Sequence, residues 1–231
     1  MGVAEATSPN LNAKHDLVVI GASAGGVETL QRVVAGLPAD LPAAICVVLH
    51  IAPDSPSLLA HILERAGPLP CRPAGEGGQL RHGVILVAPP DHHLAVDDEH
   101  VRLTVGPREN GHRPAVDVLF RSAAQAKGAS VIGVILSGTR GDGAAGLAAV
   151  KAGGGAAIVQ DPLEALYPGM PAAALAHVAV DAVVPSELVA DTIAAMVRGE
   201  ALPPAAKRSQ PELDPASGDP AVSVSRSAGA S

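Results

Sequence analysis

Six short β-branched or aliphatic runs, Leu17–Ile20, Ile45–Leu49, Val84–Ala88, Val131–Leu136, Ala156–Gln160 and Val178–Val184, alternate along this chain with stretches of helical periodicity. Apolar runs without polar alternates suit strands buried on both faces, and the helical stretches supply the crossovers that parallel strands need. The pattern predicts a doubly wound α/β fold, a mostly parallel sheet with flanking helices. The stretch from His92 to Val105 departs from it. That segment alternates about a turn at Asp97-Asp98-Glu99 and predicts an antiparallel hairpin appended to the sheet. Ser55-Pro56 ahead of Leu58, Leu59, Ile62 and Leu63 predicts a helix that Gly67 ends. Pro114 ahead of Val118, Leu119, Ser122 and Ala123 predicts another, stopped by Gly128.

A chain of 231 residues that is 48% hydrophobic has enough apolar material for one core. A single domain over 16–200 is expected, between disordered tails at 1–15 and 201–231 that lack periodicity. Aromatic content of 1% removes the stacking platforms of single-strand nucleic-acid binders, and a net charge of -7 opposes binding to a phosphate backbone. Proteins or small molecules are the expected partners. Cys46 and Cys71 form no CxxC motif and no disulfide framework, which fits a reducing compartment. The run from Leu17 to Ala24 imitates a signal peptide only faintly, being short and broken by glycine, and no segment has the length of a membrane span. A cytoplasmic location is expected.

The first aliphatic run leads into Gly21-Ala22-Ser23-Ala24-Gly25-Gly26, where small residues and glycines permit a sharp turn into a helix. Such a turn presents the Ser23 hydroxyl beside backbone N–H groups at a helix N-terminus. The spacing is wrong for the G-x-G-x-x-G dinucleotide fingerprint. It satisfies the nucleophile-elbow pattern but follows the first strand, whereas an α/β-hydrolase places several strands before its elbow. His50 follows the second run and Asp142 lies just beyond Val131–Leu136, so a parallel sheet gathers all three at the carboxyl edge of its strands. Serine needs a neutral imidazole to take its proton, and that imidazole needs a carboxylate to fix its tautomer. The backbone N–H groups of Ala24, Gly25 and Thr139 are candidates for an oxyanion site.

Taken singly, each of these residues has a simpler role: Ser23 in a glycine-rich turn, His50 bonded to a carbonyl, Asp142 as a helix cap. His92, His93, Asp97, Asp98, Glu99 and His100 match no zinc spacing and read as polar positions of an exposed hairpin, so no metal is expected. His177 precedes a strand and belongs to the opposite sheet edge. His112-Arg113 either contacts acidic side chains of a partner or flanks the helix start at Pro114.

Six blocks occur together and in order: Leu17–Gly26, Val47-Val48-Leu49-His50, Ala88-Pro89-Pro90-Asp91-His92-His93, His112 to Phe120, Leu136–Leu147 with Gly141-Asp142-Gly143-Ala144, and Gly169-Met170-Pro171. Over 16–196 the chain resembles the catalytic domain of protein-glutamate methylesterase, the CheB-type enzyme of bacterial chemotaxis. The resemblance implies hydrolysis of glutamate methyl esters on the cytoplasmic helices of methyl-accepting chemoreceptors, with release of methanol and related deamidation of certain glutamines, and no cofactor. It makes Ser23 the nucleophile, His50 the base and Asp142 the orienter. Ala24 stands where the family often has Thr, Thr139 where Met is common, and Arg140 where Gly is usual. Chemotaxis members carry a receiver domain before the catalytic one. Only about fifteen residues precede the first run here, fewer than a domain needs, so any regulation is expected to differ, with a separate receiver-domain protein as one candidate partner. Two other readings stand beside this one: a non-catalytic signalling or scaffold domain that retains the fold, and an esterase for a small carboxylic ester.

Overall fold

The first aliphatic run forms β1 (Leu17–Ala22), buried along its whole length, with Val18, Ile20 and Ala22 in one core cluster and Leu17 and Val19 in the other. A strand that is apolar at every position belongs in the middle of a sheet covered on both faces. The computed structural model, which describes residues 15–204 and 206–209, has it there. On one side β1 pairs in parallel with β2 (Ala44–Leu49), beyond which lie β4 (Ile85–Val87) and β3 (Cys71–Pro73). On the other side it pairs with β7 (Val131–Ile135), followed by β8 (Ala156–Gln160) and β9 (Val180–Val184), again all parallel. An antiparallel strand, β10 (Lys207–Ser209), completes the order β10-β9-β8-β7-β1-β2-β4-β3. The direction of winding reverses between β1 and β7, and the crevice outside the carboxyl ends of such a pair is where open α/β sheets hold their ligands.

Helices α1 (Gly26–Gly36), α2 (Leu59–Ala66) and α6 (Val189–Arg198) cover one face through Leu30, Leu63 and Ile193. The other face carries α3 (Val116–Lys127), α4 (Ala144–Ala152) and α5 (Gly169–His177), together with the hairpin of β5 (His93–Asp97) and β6 (His100–Thr104). The chain's one phenylalanine, Phe120 on α3, is fully buried there. Gly146 lets α4 close onto it: a Cβ on that glycine would come within 2.6 Å of the Phe120 Cβ.

The expected α/β architecture is present, and all six aliphatic runs supply parallel strands. Several boundaries differ. The hairpin forms a separate two-stranded sheet instead of joining the main one. Helix α2 begins at Leu59, because Ser55 and Pro56 lie in a turn in which Ser55 N–H donates to the Ala52 carbonyl, and Leu58 is 55% exposed instead of lying on the buried stripe. The described fold runs past both boundaries that the composition indicates. His15 is buried and Asp16 N–H donates to the Ser130 carbonyl, while Leu202 and Ala206 pack on the core ahead of β10. The rest of those tails, 1–14, 205 and 210–231, lies outside the described residues. Cys46 and Cys71 are buried free thiols, and burial pushes both up to about 12. No helix among the described residues is long and apolar enough to cross a membrane.

Truncating Phe120 to Ala removes the largest buried side chain between α3 and the sheet without closing the slot that Gly146 and Gly133 leave. Phe120→Ala is expected to lower the unfolding free energy by about 3–5 kcal/mol, measured by urea denaturation.

Candidate active site

Backbone hydrogen bonds that prolong the sheet ladders past the strand ends set the positions of Ser23 and His50. Ser23 N–H donates to the Ser137 carbonyl at 2.9 Å, continuing the β1–β7 ladder, and His50 N–H donates to the Ala22 carbonyl at 3.1 Å, continuing β1–β2. The last paired residues of β1 and β2 are Ala22 and Leu49, so Ser23 and His50 are each one position further on, on adjacent strands about 4.8 Å apart. Gly25, at φ +70, turns the chain into α1, and a side chain there would meet Ser137 and Leu166 within 3.2 Å. The N–H groups of Ala24, Gly25 and Thr139 donate to no protein acceptor among the described residues.

Asp142 follows β7, the other neighbour of β1. Its carboxylate is 1% exposed and accepts four hydrogen bonds: His50 Nε2 at 2.7 Å and Val116 N–H at 2.7 Å on Oδ2, Asn110 Nδ2 at 2.8 Å and Asp117 N–H at 3.2 Å on Oδ1. Since β2 and β7 flank β1, the His50–Asp142 bond crosses the end of β1, where Ser23 lies. With Nε2 committed to the carboxylate, the neutral imidazole has Nδ1 as its acceptor. Ser23 Oγ makes no hydrogen bond to His50 among the described residues.

Neither α3 nor α4 has a capping side chain of its own; Ala115 and Gly143 occupy the N-cap positions. Each helix is capped by a carboxylate from the other's segment. Asp142, just before α4, takes the first N–H groups of α3, while Asp117, in the first turn of α3, takes Gly143 N–H at 3.1 Å and Gly146 N–H at 2.6 Å at the start of α4. Asn110, in a left-handed turn at φ 52, divides its amide between the two, donating to Asp117 Oδ2 at 2.9 Å as well as to Asp142. Burial is the largest influence on Asp142 and opposes its charge, but the bonds from His50, Asn110 and Val116 together outweigh it and hold the carboxyl at about 2. For Asp117 burial prevails over its donors, and the neighbouring Asp142 charge adds to it, so that carboxyl lies above its usual range.

His112 stacks face to face on His50, with ring centroids 3.6 Å apart and planes within 5°. Burial, followed by the neighbouring His50, keeps the His112 imidazole below its usual value, and its Nε2 is a buried atom without a partner among the described residues. The His50 ring is thus held at its edge by Asp142 and on its face by His112.

The remaining sequence candidates separate clearly. Thr139 and Arg140 are exposed in the loop after β7, and Arg140 has an ordinary backbone conformation; the left-handed position is Gly143, at φ +99. A side chain on Gly143 would run into Ile135 and Val116. His93, expected on an exposed hairpin, is buried: it bonds the Pro107 carbonyl through Nε2 and accepts Ala115 N–H at Nδ1, anchoring the approach to α3. Arg113 is held by Asp91 and by the carbonyls of Val105 and Gly106, so it serves the loop and is not available to a partner. His177, exposed at the far end of α5, is remote from this edge. Asn110, Asp117 and the stacking role of His112 were not read from the sequence. The signal for the first two was the missing cap at both helix starts.

Asp142 holds its proton less tightly folded than unfolded, so its contribution to stability is complete above the ordinary 3.8 and is lost as the pH falls through about 2. Asp117 acts with the opposite sign, its contribution declining as the pH rises from its ordinary 3.8 toward the elevated folded value. Asp142→Asn is expected to flatten the decline of stability across the acid window from 3.8 to about 2, read from urea midpoints against pH.

The family model described as CheB methylesterase matches residues 18–193. A protein-glutamate methylesterase/protein-glutamine glutaminase of Anaeromyxobacter dehalogenans is 44% identical over 184 residues, covering 79% of this chain and 54% of that one. A putative protein of the same description from Leptospira interrogans is 37% identical over 178 residues, covering 77% of this chain and 92% of the relative. This chain therefore spans about half of the first relative and most of the second. The crystal structure of the Thermotoga maritima CheB methylesterase catalytic domain superposes with a TM-score of 0.75 at 31% identity, over 80% of this chain and 100% of that one. Ser23, His50 and Asp142 all fall within the matched span, and the chain belongs to the CheB methylesterase family.

Proposed function

We propose that this chain is a cofactor-independent serine hydrolase that removes methyl esters from glutamate side chains of methyl-accepting chemoreceptors, acting on their cytoplasmic helices. The observation that carries the reading is the His50–Asp142 bond across the end of the strand that delivers Ser23. Proton transfer from Ser23 to His50 requires the staggered Ser23 rotamer that turns Oγ toward Nδ1. Nδ1 takes the hydroxyl proton as Oγ attacks the ester carbonyl, while Asp142 stabilises the imidazolium that forms. The free N–H groups of Ala24, Gly25 and Thr139 receive the oxyanion. His50 then returns the proton to the departing methoxide, which leaves as methanol, and water activated by the same imidazole releases the glutamate from Ser23. A glutamine amide follows the same steps with ammonia as the leaving group.

A protein substrate is favoured over a small ester by the surface around the site. The large apolar side chains exposed among the described residues are Leu58, Val105, Leu163, Leu166 and Tyr167. Leu58 follows β2, the last three follow β8, and the Val105 carbonyl is tied through Arg113 to Asp91 beyond β4. All five therefore border the carboxyl edge of the sheet. Apolar side chains gathered on one rim suit contact with another protein.

The test is methanol release from methylated receptor. Ser23→Ala and His50→Ala are each expected to lower turnover about 10⁶-fold, and Asp142→Asn about 10⁴-fold. Equal release by wild type and Ser23→Ala would remove the catalytic reading; receptor binding without release by wild type would support a scaffold. His112→Ala, which removes the stacking ring, is expected to lower kcat with little change in KM, since the ring packs on His50.

A further inference from the structure

Arg108 and Arg140 make no ion pair and no side-chain hydrogen bond among the described residues, and both are exposed. Other arginines of the same region are engaged, Arg113 with Asp91 and Arg121 with Glu109. The two free cations belong to loops that build the site: Arg108 precedes Asn110 and His112, and Arg140 lies between Thr139 and Asp142. Arg140 Nη1 is 3.6 Å from the position of a Cβ built on Gly111, which puts the guanidinium against the backbone next to His112, the ring stacked on His50. Both charges act on His112. In a chain of net charge -7, this is a local cationic flank on one side of the site. The other flank is apolar: Leu166 lies within 3.2 Å of a Cβ position on Gly25, with exposed Leu163 and Tyr167 beside it in the loop after β8.

We infer that Arg108 and Arg140 are specificity-determining residues that read free carboxylates beside the ester, so that the enzyme selects glutamyl esters carried on acidic helical segments, with Leu163, Leu166 and Tyr167 receiving apolar residues of the same segment. The inference rests on the methylesterase reading and extends it to substrate choice. Glutamates three or four positions from the ester share its helix face, with Cβ atoms about 5–6 Å away, within the reach of an arginine side chain. Guanidinium matches carboxylate in planar, paired hydrogen bonds. Each demethylation also creates a new carboxylate, so hydrolysis of one ester favours capture of its neighbour.

The experiment compares methylated receptor fragments in which the residues three and four positions from the ester are Glu or Ala, using the full chain as wild type, as Arg108→Gln/Arg140→Gln and as Arg140→Lys, at low and high ionic strength. Wild type is expected to prefer the Glu-flanked fragment in kcat/KM by about tenfold at low salt, the scale of two exposed ion pairs. The double variant should bring the ratio near one, Arg140→Lys should leave it between those two values, and salt should erase it in wild type. Equilibrium binding of the same fragments in a Ser23→Ala background reads the flank without turnover, so loss of esterase chemistry and loss of carboxylate selection give different results. An equal ratio in wild type and double variant overturns the inference. So does binding to phosphatidylglycerol vesicles that the double variant loses while fragment preference is unchanged, which would assign the flank to a membrane surface.

Discussion

The buried carboxylate of Asp142 is the interaction on which the site depends. A charge that is 1% exposed survives only if its lone pairs are occupied, and here two backbone N–H groups, an amide and an imidazole occupy them. Three of those four donors come from the segment 110–117, so the loop before α3 is as much a part of the site as the strand ends. The same bonds that fix the tautomer of His50 close the start of α3. Asp117 repeats the arrangement in reverse for α4, and Asn110 bridges the two carboxylates by donating to both.

The sheet supplies the other half of the geometry by register alone. Ser23 and His50 need no long-range side-chain contact to become neighbours, because the β1–β2 ladder carries them there. Asp142 arrives from the strand on the far side of β1, and its bond to His50 closes an arch over the strand end. Reversal of winding between β1 and β7 leaves a crevice at this spot, which no other pair of strands in the sheet provides with the same order of chemical groups.

The strands of the fold were legible because a parallel sheet covered on both faces leaves uninterrupted aliphatic runs in the sequence. β3 and β10 were not: each has three residues, Pro73 disguises the one, and the other lies in a Pro- and Ala-rich stretch. Ser23, His50 and Asp142 could be placed at one sheet edge because each follows such a run. Asn110, Asp117 and His112 sit in or beside a loop whose course depends on tertiary contacts, including a buried His93 that pattern alone put on the surface. An aspartate in a first helical turn reads as a partner for its own helix dipole, and only the folded structure reveals that Asp117 serves the adjacent helix.

The exchange of caps between α3 and α4 has a consequence for how this scaffold can be altered. Neither helix is a self-sufficient building block, since the opening turn of each is completed by an acid belonging to the other's stretch of chain. Transplanting one of them into a different protein would strand two amides and a carboxylate, whereas the span from Asn110 to Ala152 carries the donors and acceptors of both helix caps. That span is the smallest portable unit in which both helix starts are complete, and recombination between relatives should tolerate junctions outside it far better than junctions within it.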